Sequence, residues 1–301
     1  IRYGADAVYC AGKRFGLRAG NSNFSDEELK EAVEFVHANG KKIHVTCNII
    51  PHNEDFEGLE DYLKFLESIG VDAIIVADMG IFSLAKRVAP GLELHVSTQA
   101  STTNWHTVQM WKELGATRVV AAREVSLADL KEMKDHVDIE IESFVHGSMC
   151  ISYSGRCLLS NYMTGNRDAN RGQCSQSCRW KYSLVESNRP GEYYPIEEDE
   201  HGTYIFNSKD LCLIHRIPDL YEAGIDSLKI EGRMKSVHYC ATVAKVYRTA
   251  IDTYLKEGKD WYVRPEWIAE LEKISHRPYT DGFAEGRPDE TAQNYGKSTN
   301  T

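Results

Sequence analysis

Four short phrases recur along the chain: Gly4-Ala-Asp-Ala-Val8, Gly70-Val-Asp-Ala-Ile74, Gly115-Ala-Thr-Arg-Val119 and Gly224-Ile-Asp-Ser-Leu228. Each joins a helical pattern to a short apolar strand. The glycine supplies the left-handed residue that ends a helix, and the Asp or Thr turns the chain into the strand. Amphipathic segments lie between the phrases, at 26–39, 56–69, 104–114 and 127–136, with apolar residues at helical spacing. The first has a start signal, Ser25 as N-cap followed by Asp26, Glu27 and Glu28. Strands are expected at 7–11, 42–48, 73–77, 92–97, 118–122, 139–145, 204–207 and 227–230. They are β-branched and mostly apolar on both faces, the pattern of parallel strands covered by helices.

Strict alternation of strand and helix at this length means an α/β barrel or a doubly wound sheet. No Gly-x-Gly-x-x-Gly follows an early strand, which removes the main sign of a dinucleotide fold. The expectation is an α/β fold, a (β/α)8 TIM-like barrel over residues 1–258, with its chemistry at the C-terminal ends of the strands. A cysteine-rich insertion at 148–203 leaves from that rim. After a long helix at 237–256, residues 259–301 read as a polar linker toward a missing C-terminal module. The chain opens mid-pattern at Ile1 without an initiator Met and reads as truncated at its N-terminus, so a lost leader stays open.

Of the 301 residues, 42% are hydrophobic and 27% charged, ordinary for a soluble globular protein. The longest apolar runs, such as 73–77, are far too short to span a bilayer, and no basic-then-apolar segment opens the chain. A reducing cytoplasm is expected, with no membrane contact. Clustered cysteines there bind metal or do chemistry rather than pair. The net charge of −10 argues against a surface coated with phosphate-binding groups. A local basic patch remains: residues 156–181 carry Arg156, Arg167, Arg171, Arg179 and Lys181 against the single acid Asp168. Such a run is either a solvated loop or a surface for an anionic substrate or RNA.

Six of the eight cysteines lie between 150 and 240, and Cys150, Cys157, Cys174 and Cys178 crowd into one polar stretch. Ser, Gly, Asn and Arg surround them, which is poor core material. Four thiolates converging from a loop hold an iron–sulfur cluster or a structural zinc. Zinc usually takes two closely spaced Cys-x-x-Cys pairs, and none is present; the irregular spacing leans toward iron–sulfur and leaves zinc open. Cys10, Cys47 and Cys240 read as core or pocket residues. Polar groups also collect at the strand ends: Asn48, Asp78, His95 to Gln99, Arg123 with Glu124, Glu142 to His146, and Lys229 to Arg233. Any one of them suits a cap, but six successive strands delivering such groups suggest a site on one rim.

Glu142-x-Phe-x-x-Gly-Ser-Met-Cys150, Ser154-Gly-Arg-Cys157 and Lys229-Ile-Glu-Gly-Arg-Met-Lys235 together resemble the collagenase-like peptidases (peptidase family U-32) over essentially the whole chain. The run 166–180, with 197–204 and 207–210, looks most like the family's tRNA hydroxylation branch. That resemblance implies 5-hydroxylation of the wobble uridine in tRNA, with prephenate as the required metabolite and a four-iron four-sulfur (4Fe-4S) cluster. It carries Cys150, Cys157, Cys174 and Cys178 over as metal ligands; Cys212 is the rival for the fourth position, though its apolar helical setting reads as a buried free thiol. Partners implied are tRNA and a small carboxylate metabolite, with room for a protein of the same family. Sister branches hydroxylate ubiquinone precursors and ribosomal RNA. Family members also begin with a strand of the type Glu-Leu-Leu-Ala-Pro-Ala-Gly that is absent here; if that strand is the first, 204–207 belongs to the insertion.

On this reading Arg167, Arg171 and Arg179 contact phosphates. Arg123, Arg233 and Lys229 grip carboxylates, beside Gln99 and His95 as hydrogen-bonding groups. The catalytic candidates are Glu142, Glu231 and His95, the two carboxylates being equally suited to rim salt bridges. A peptidase is the alternative. The chain has no His-Glu-x-x-His and no Gly-x-Ser-x-Gly, and only Cys150 with His146 can be drawn as a nucleophile and base. A scaffold carrying a structural cluster is the third reading.

Overall fold

The computed structural model describes residues 1–17, 23–150, 152–165, 167–180 and 209–286, together with the backbone of 183–184 and 194–195. Its elements are β1 (Ala7–Cys10), α1 (Asp26–Ala38), β2 (Lys42–Cys47), α2 (Leu59–Ser68), β3 (Ala73–Val76), α3 (Met79–Val88), β4 (Glu93–Val96), α4 (Trp105–Leu114), β5 (Arg118–Val120), α5 (Leu127–His136) and β6 (Glu140–Ser148). There follow α6 (Leu159–Thr164), the two-residue strands β7 (Ser183–Leu184) and β8 (Tyr194–Pro195), β9 (Asp210–Cys212), α7 (Ile217–Glu222), β10 (Ser227–Ile230), α8 (Val237–Glu257), α9 (Pro265–Glu272) and β11 (Tyr279–Thr280).

The main sheet is parallel in the order β1-β2-β3-β4-β5-β6-β10. The repeated phrase sets its register. All four glycines, Gly4, Gly70, Gly115 and Gly224, have positive φ, a backbone that side chains resist. The aspartate two residues on then reaches the neighbouring strand: Asp72 Oδ2 accepts from Ile43 N and Asp226 Oδ2 from Ile141 N, each at 2.8 Å. Ser25 and Glu28 close a reciprocal capping box at the start of α1, satisfying two otherwise orphaned backbone donors.

Alternation along each strand separates two environments. Ile43, Val45, Ile74, Val76, Leu94, Val96, Val119 and Ile141 pack with helix residues such as Leu29, Val33, Leu63, Leu66, Ile81 and Met133 in the apolar core. The opposite face carries His44, His95, Arg118 and Glu142 at its lower level, which is polar and nearly dry. His44 and His95 meet edge to face at 4.7 Å. Burial pulls the His44 imidazole down to about 4. Burial and the neighbouring His44 pull His95 down to about 2. Both rings are therefore neutral in the fold but charge in the unfolded chain below about pH 6.5. Stability should be flat above that pH and fall by about 1.4 kcal/mol per pH unit for each ring on acidification. Urea titrations from pH 7.5 to 5 should show this slope; a His44→Gln/His95→Gln variant should remove the part these two rings contribute and leave that of His146, which burial lowers to about 3.

Among the described residues no hydrogen-bonded pairing joins β1 to β10. Their side chains meet instead: Tyr9 Oη donates to Glu231 at 3.2 Å, and the Lys229 ammonium sits 4.5 Å from the Tyr9 ring centre. The strand expected at 204–207 lies outside the described residues. Three expectations change. The helix expected over 56–69 begins at Leu59, because Asn53–Phe56 forms a tighter 3-10 turn and Gly58 turns left-handed at φ 72° before it. Cys212 lies in a strand, not a helix: β9 pairs antiparallel with the end of β6, His146 opposite Cys212. The stretch read as a linker carries α9 and β11. Its Trp267, Leu271, Ile274 and Ala284 fill a second core with Tyr239, Val243 and Ala250 of α8. No helix among the described residues is long and apolar enough to cross a membrane.

Candidate active site at the strand ends

Side chains from the carboxyl ends of successive strands converge on a pocket of about 590 Å³, lined by Tyr9, Asn48, Ser97, Gln99, Arg123, Phe144, Lys229, Glu231 and Arg233 among others. Gln99, Arg123, Lys229, Glu231 and Arg233 all lie in this lining. Arg123 lies 3.9 Å from the Phe144 ring centre and 3.5 Å from Glu231 Oε2. Lys229 Nζ donates to Glu142 Oε1 at 2.6 Å, and Arg233 donates to Asn23. With Lys229 matched by Glu142, the lining still carries Arg123 and Arg233 beside the carboxylate of Glu231. That surplus suits an anionic guest.

Glu142 and His95 do not line this pocket; they form its floor support. Glu142 accepts from Lys229, from Ser227 Oγ at 2.7 Å and from Arg118 at 3.1 Å. Burial alone would raise its carboxyl, but Lys229, Ser227 and Arg118 outweigh burial and hold it down at about 2. A group so placed anchors Lys229 and stays ionised at neutral pH, so it is poorly suited to carry a proton. Glu231, half-buried beside Tyr9 and Arg123, is the carboxylate that faces the open volume.

The four cysteines lie in the segment that follows β6. Cys150, Cys157, Cys174 and Cys178 all line a second pocket of about 690 Å³, and Gln99 and Arg123 line both pockets. Cys212 is not among these residues; it is buried, with its sulfur 3.9 Å from Tyr247 Oη. Loop pins hold the thiols in place. Glu124 accepts from Ser154 N and Ser154 Oγ, both at 3.1 Å. Asn170 Nδ2 donates to Cys157 O at 2.9 Å, and Ile50 N donates to Asn170 O at 2.9 Å. Gly155 is left-handed at φ +72°, and a Cβ there would lie 2.1 Å from the Gln99 carbonyl oxygen. Gly155→Ala should therefore unseat the loop. The backbone strain alone is worth about 1–3 kcal/mol, and limited proteolysis within 150–180 should accelerate several-fold.

The basic run serves the loop itself more than its sequence suggests. Arg171 is clamped to Asp55 at 2.7 and 2.9 Å and to Glu54 at 3.1 Å. Arg167 donates to the carbonyls of Gln173 and Cys174 at 3.2 and 3.3 Å from an exposed position. The side chain of Arg179 lies outside the described residues. The drawn Cys–His pair is not formed: the His146 ring packs among Tyr239, Tyr247 and Tyr279, with Nδ1 3.4 Å from Tyr247 Oη. Crowding by protein pushes the Cys150 thiol up, and Cys157 and Cys174 push it further, which opposes a nucleophilic thiolate.

Sequence reasoning passed over Tyr9, Phe144, Ser154 and Gly155. The first two stand at ordinary strand positions. The other two sit inside the Ser-Gly-Arg-Cys phrase, where only the cysteine drew attention.

The sequence profile of Peptidase family U32 matches residues 1–294. The chain belongs to that family. It is similar to tRNA hydroxylation protein P1 of Bacillus subtilis (strain 168), 51% identical over 297 residues that span 99% of this chain and 70% of that protein. It is 40% identical to tRNA hydroxylation protein P of Escherichia coli (strain K12), over 97% of this chain and 73% of the other. The 23S rRNA 5-hydroxycytidine C2501 synthase of the same organism is 37% identical over 95% of this chain and 43% of its own length.

Proposed function

We propose that this chain is a tRNA hydroxylase that adds oxygen at C5 of the wobble uridine, on a closed (β/α)8 frame with a cysteine-rich insertion. Cys150, Cys157, Cys174 and Cys178 would hold a 4Fe-4S cluster, and the rim pocket would hold prephenate or a similar carboxylate. The observation that carries this reading is the shared wall: Gln99 and Arg123 line both the thiol pocket and the cation-rich pocket. The donor set fits the cluster. Four thiols line one volume, and thiolates are the ligands such a cluster takes.

Uracil C5–H does not yield to acid–base chemistry alone, and the bound cluster would supply the redox chemistry that side chains lack. The chain's own residues orient. Arg123 and Arg233 are the charge-assisted donors for a carboxylate guest, Lys229 is fixed by Glu142, and Gln99 stands at the junction of the two pockets. The relatives named for tRNA hydroxylation favour tRNA over ribosomal RNA or a quinone precursor.

The test is anaerobic purification with iron and sulfide analysis, joined to mass spectrometry of tRNA nucleosides from a deletion strain. Bound iron and sulfide, with loss of 5-hydroxyuridine derivatives that the intact gene restores, are expected. Unchanged tRNA, or protein that never holds iron under anaerobic conditions, would overturn the reading.

A further inference from the structure

The loop that carries the thiols has an outer surface that its fold does not explain. Tyr153 is 70% exposed, Leu158 55%, Tyr162 81%, Met163 42% and Trp180 44%. These are five of the sixteen exposed large apolar side chains among the described residues. They fall within residues 153–180, so this segment is several times richer in them than the rest. Concentrated exposure of that kind marks a contact surface rather than ordinary scatter.

The placement is ordered. Leu158 and Tyr162 are four apart at the start of α6, which puts them on one face. The 3-10 turn Ser177–Arg179 packs against α6, and Trp180 follows it directly. Tyr153 lines the thiol pocket, as does Leu159, the neighbour of Leu158. Tyr153 thus stands at the thiol pocket, Tyr162 on the exposed side of α6, and Trp180 just after the turn packed against that helix. Arg156 and Arg167 are exposed on the same segment, whose one described acid, Asp168, is spent capping Asn170 N at 2.8 Å. In a chain of net charge −10 this is a locally basic, aromatic surface.

We infer that Tyr153, Tyr162 and Trp180 form a stacking platform for unpaired bases of single-stranded RNA, which leads one nucleotide toward the mouth of the thiol pocket; this deepens the hydroxylase reading and rests on it. Unstacked bases have two aromatic faces to satisfy, and protein rings meet them with little regard to sequence. The arginines take the phosphates between. A protein partner would be served by apolar area alone, without cations interleaved among the rings and without continuity to the pocket.

The probe is a fluorescein-labelled, uridine-containing RNA heptamer, compared by anisotropy with the duplex it forms with its complement, using the whole chain purified anaerobically. The single strand should bind more tightly than the duplex. Tyr162→Ala, Tyr153→Ala and Trp180→Ala should each weaken it about tenfold, while Tyr162→Phe keeps wild-type affinity. Arg156→Ala should lower the slope of log affinity against log salt by about one. All these side chains are exposed, so thermal unfolding should not move. Wild-type affinity in a Tyr153→Ala/Tyr162→Ala variant, or preference for the duplex, overturns the platform. Its failure is separable from that of the parent reading. A ring-less variant that still restores 5-hydroxyuridine in the deletion strain sinks the platform alone. Ring-dependent RNA binding by a chain whose deletion leaves tRNA unchanged sinks only the hydroxylase.

Discussion

Truncating Glu142 to alanine is expected to cost about 3–5 kcal/mol of folding stability, because it strands cations in a nearly dry layer. Lys229 and Arg118 both lean on this carboxylate, at 2.6 and 3.1 Å, and their side chains are only 9% and 13% exposed against 6% for Glu142. Arg118 retains Glu140 at 2.7 Å; among the described residues Lys229 keeps only the Tyr9 and Phe144 rings. The loss should therefore fall mainly on Lys229. A Glu142→Ala/Lys229→Met double variant should be more stable than the sum of the single changes by at least 1 kcal/mol or so, the signature of a coupled pair. Urea unfolding of the four proteins measures it, and strict additivity would show that the pair is not coupled. The sign with pH follows from the same contacts. The folded carboxyl sits at about 2 and the unfolded one near 4.3, so its contribution is present above about pH 4.3. It is lost as pH falls from there toward 2, and Glu142→Gln should remove that part of the acid slope.

This network also shows what a sequence can and cannot display. The strand–helix alternation was legible because Gly and Asp do local work: a left-handed glycine and an aspartate that grips the next strand leave a repeat in the text. The rim was legible for the same reason, since strand ends carry polar residues that a buried strand would not. What the text does not carry is depth. Glu142 and Glu231 look alike at two strand ends, yet one lies under the pocket, neutralised by Lys229, and the other faces the cavity. Arg171 looks free to meet phosphate until its distant partner Asp55, 116 residues earlier, closes on it. Cys212 reads as helical because an apolar run of four has no periodicity to separate strand from helix. Its pairing with β6 is non-local. Gly155 was quoted only as part of a phrase; its need for a missing side chain comes from the Gln99 carbonyl, 56 residues away in the chain.

Serine at any one of Cys150, Cys157, Cys174 or Cys178 is expected to give the largest functional loss in the molecule while leaving the sheet and its covering helices nearly intact. Loss of a proposed ligand should exceed the 10–100-fold penalty typical of changing a group that merely supports one, so iron, sulfide and 5-hydroxyuridine should all fall below detection. The fold should tolerate it because these thiols belong to a loop segment outside both apolar cores. Cys212→Ser is the contrasting variant. It sets a hydroxyl into a buried place beside Tyr247 Oη, 3.9 Å from the present sulfur, where a poorly satisfied polar group costs about 1–3 kcal/mol, and it should keep its full complement of iron. Visible absorbance, iron and sulfide stoichiometry and thermal unfolding on the five variants separate the two behaviours. Cys178→Ser protein that retains all its iron, beside Cys212→Ser protein that has lost it, would move the fourth ligand into the strand and break the link between the shared pocket wall and the chemistry proposed for it.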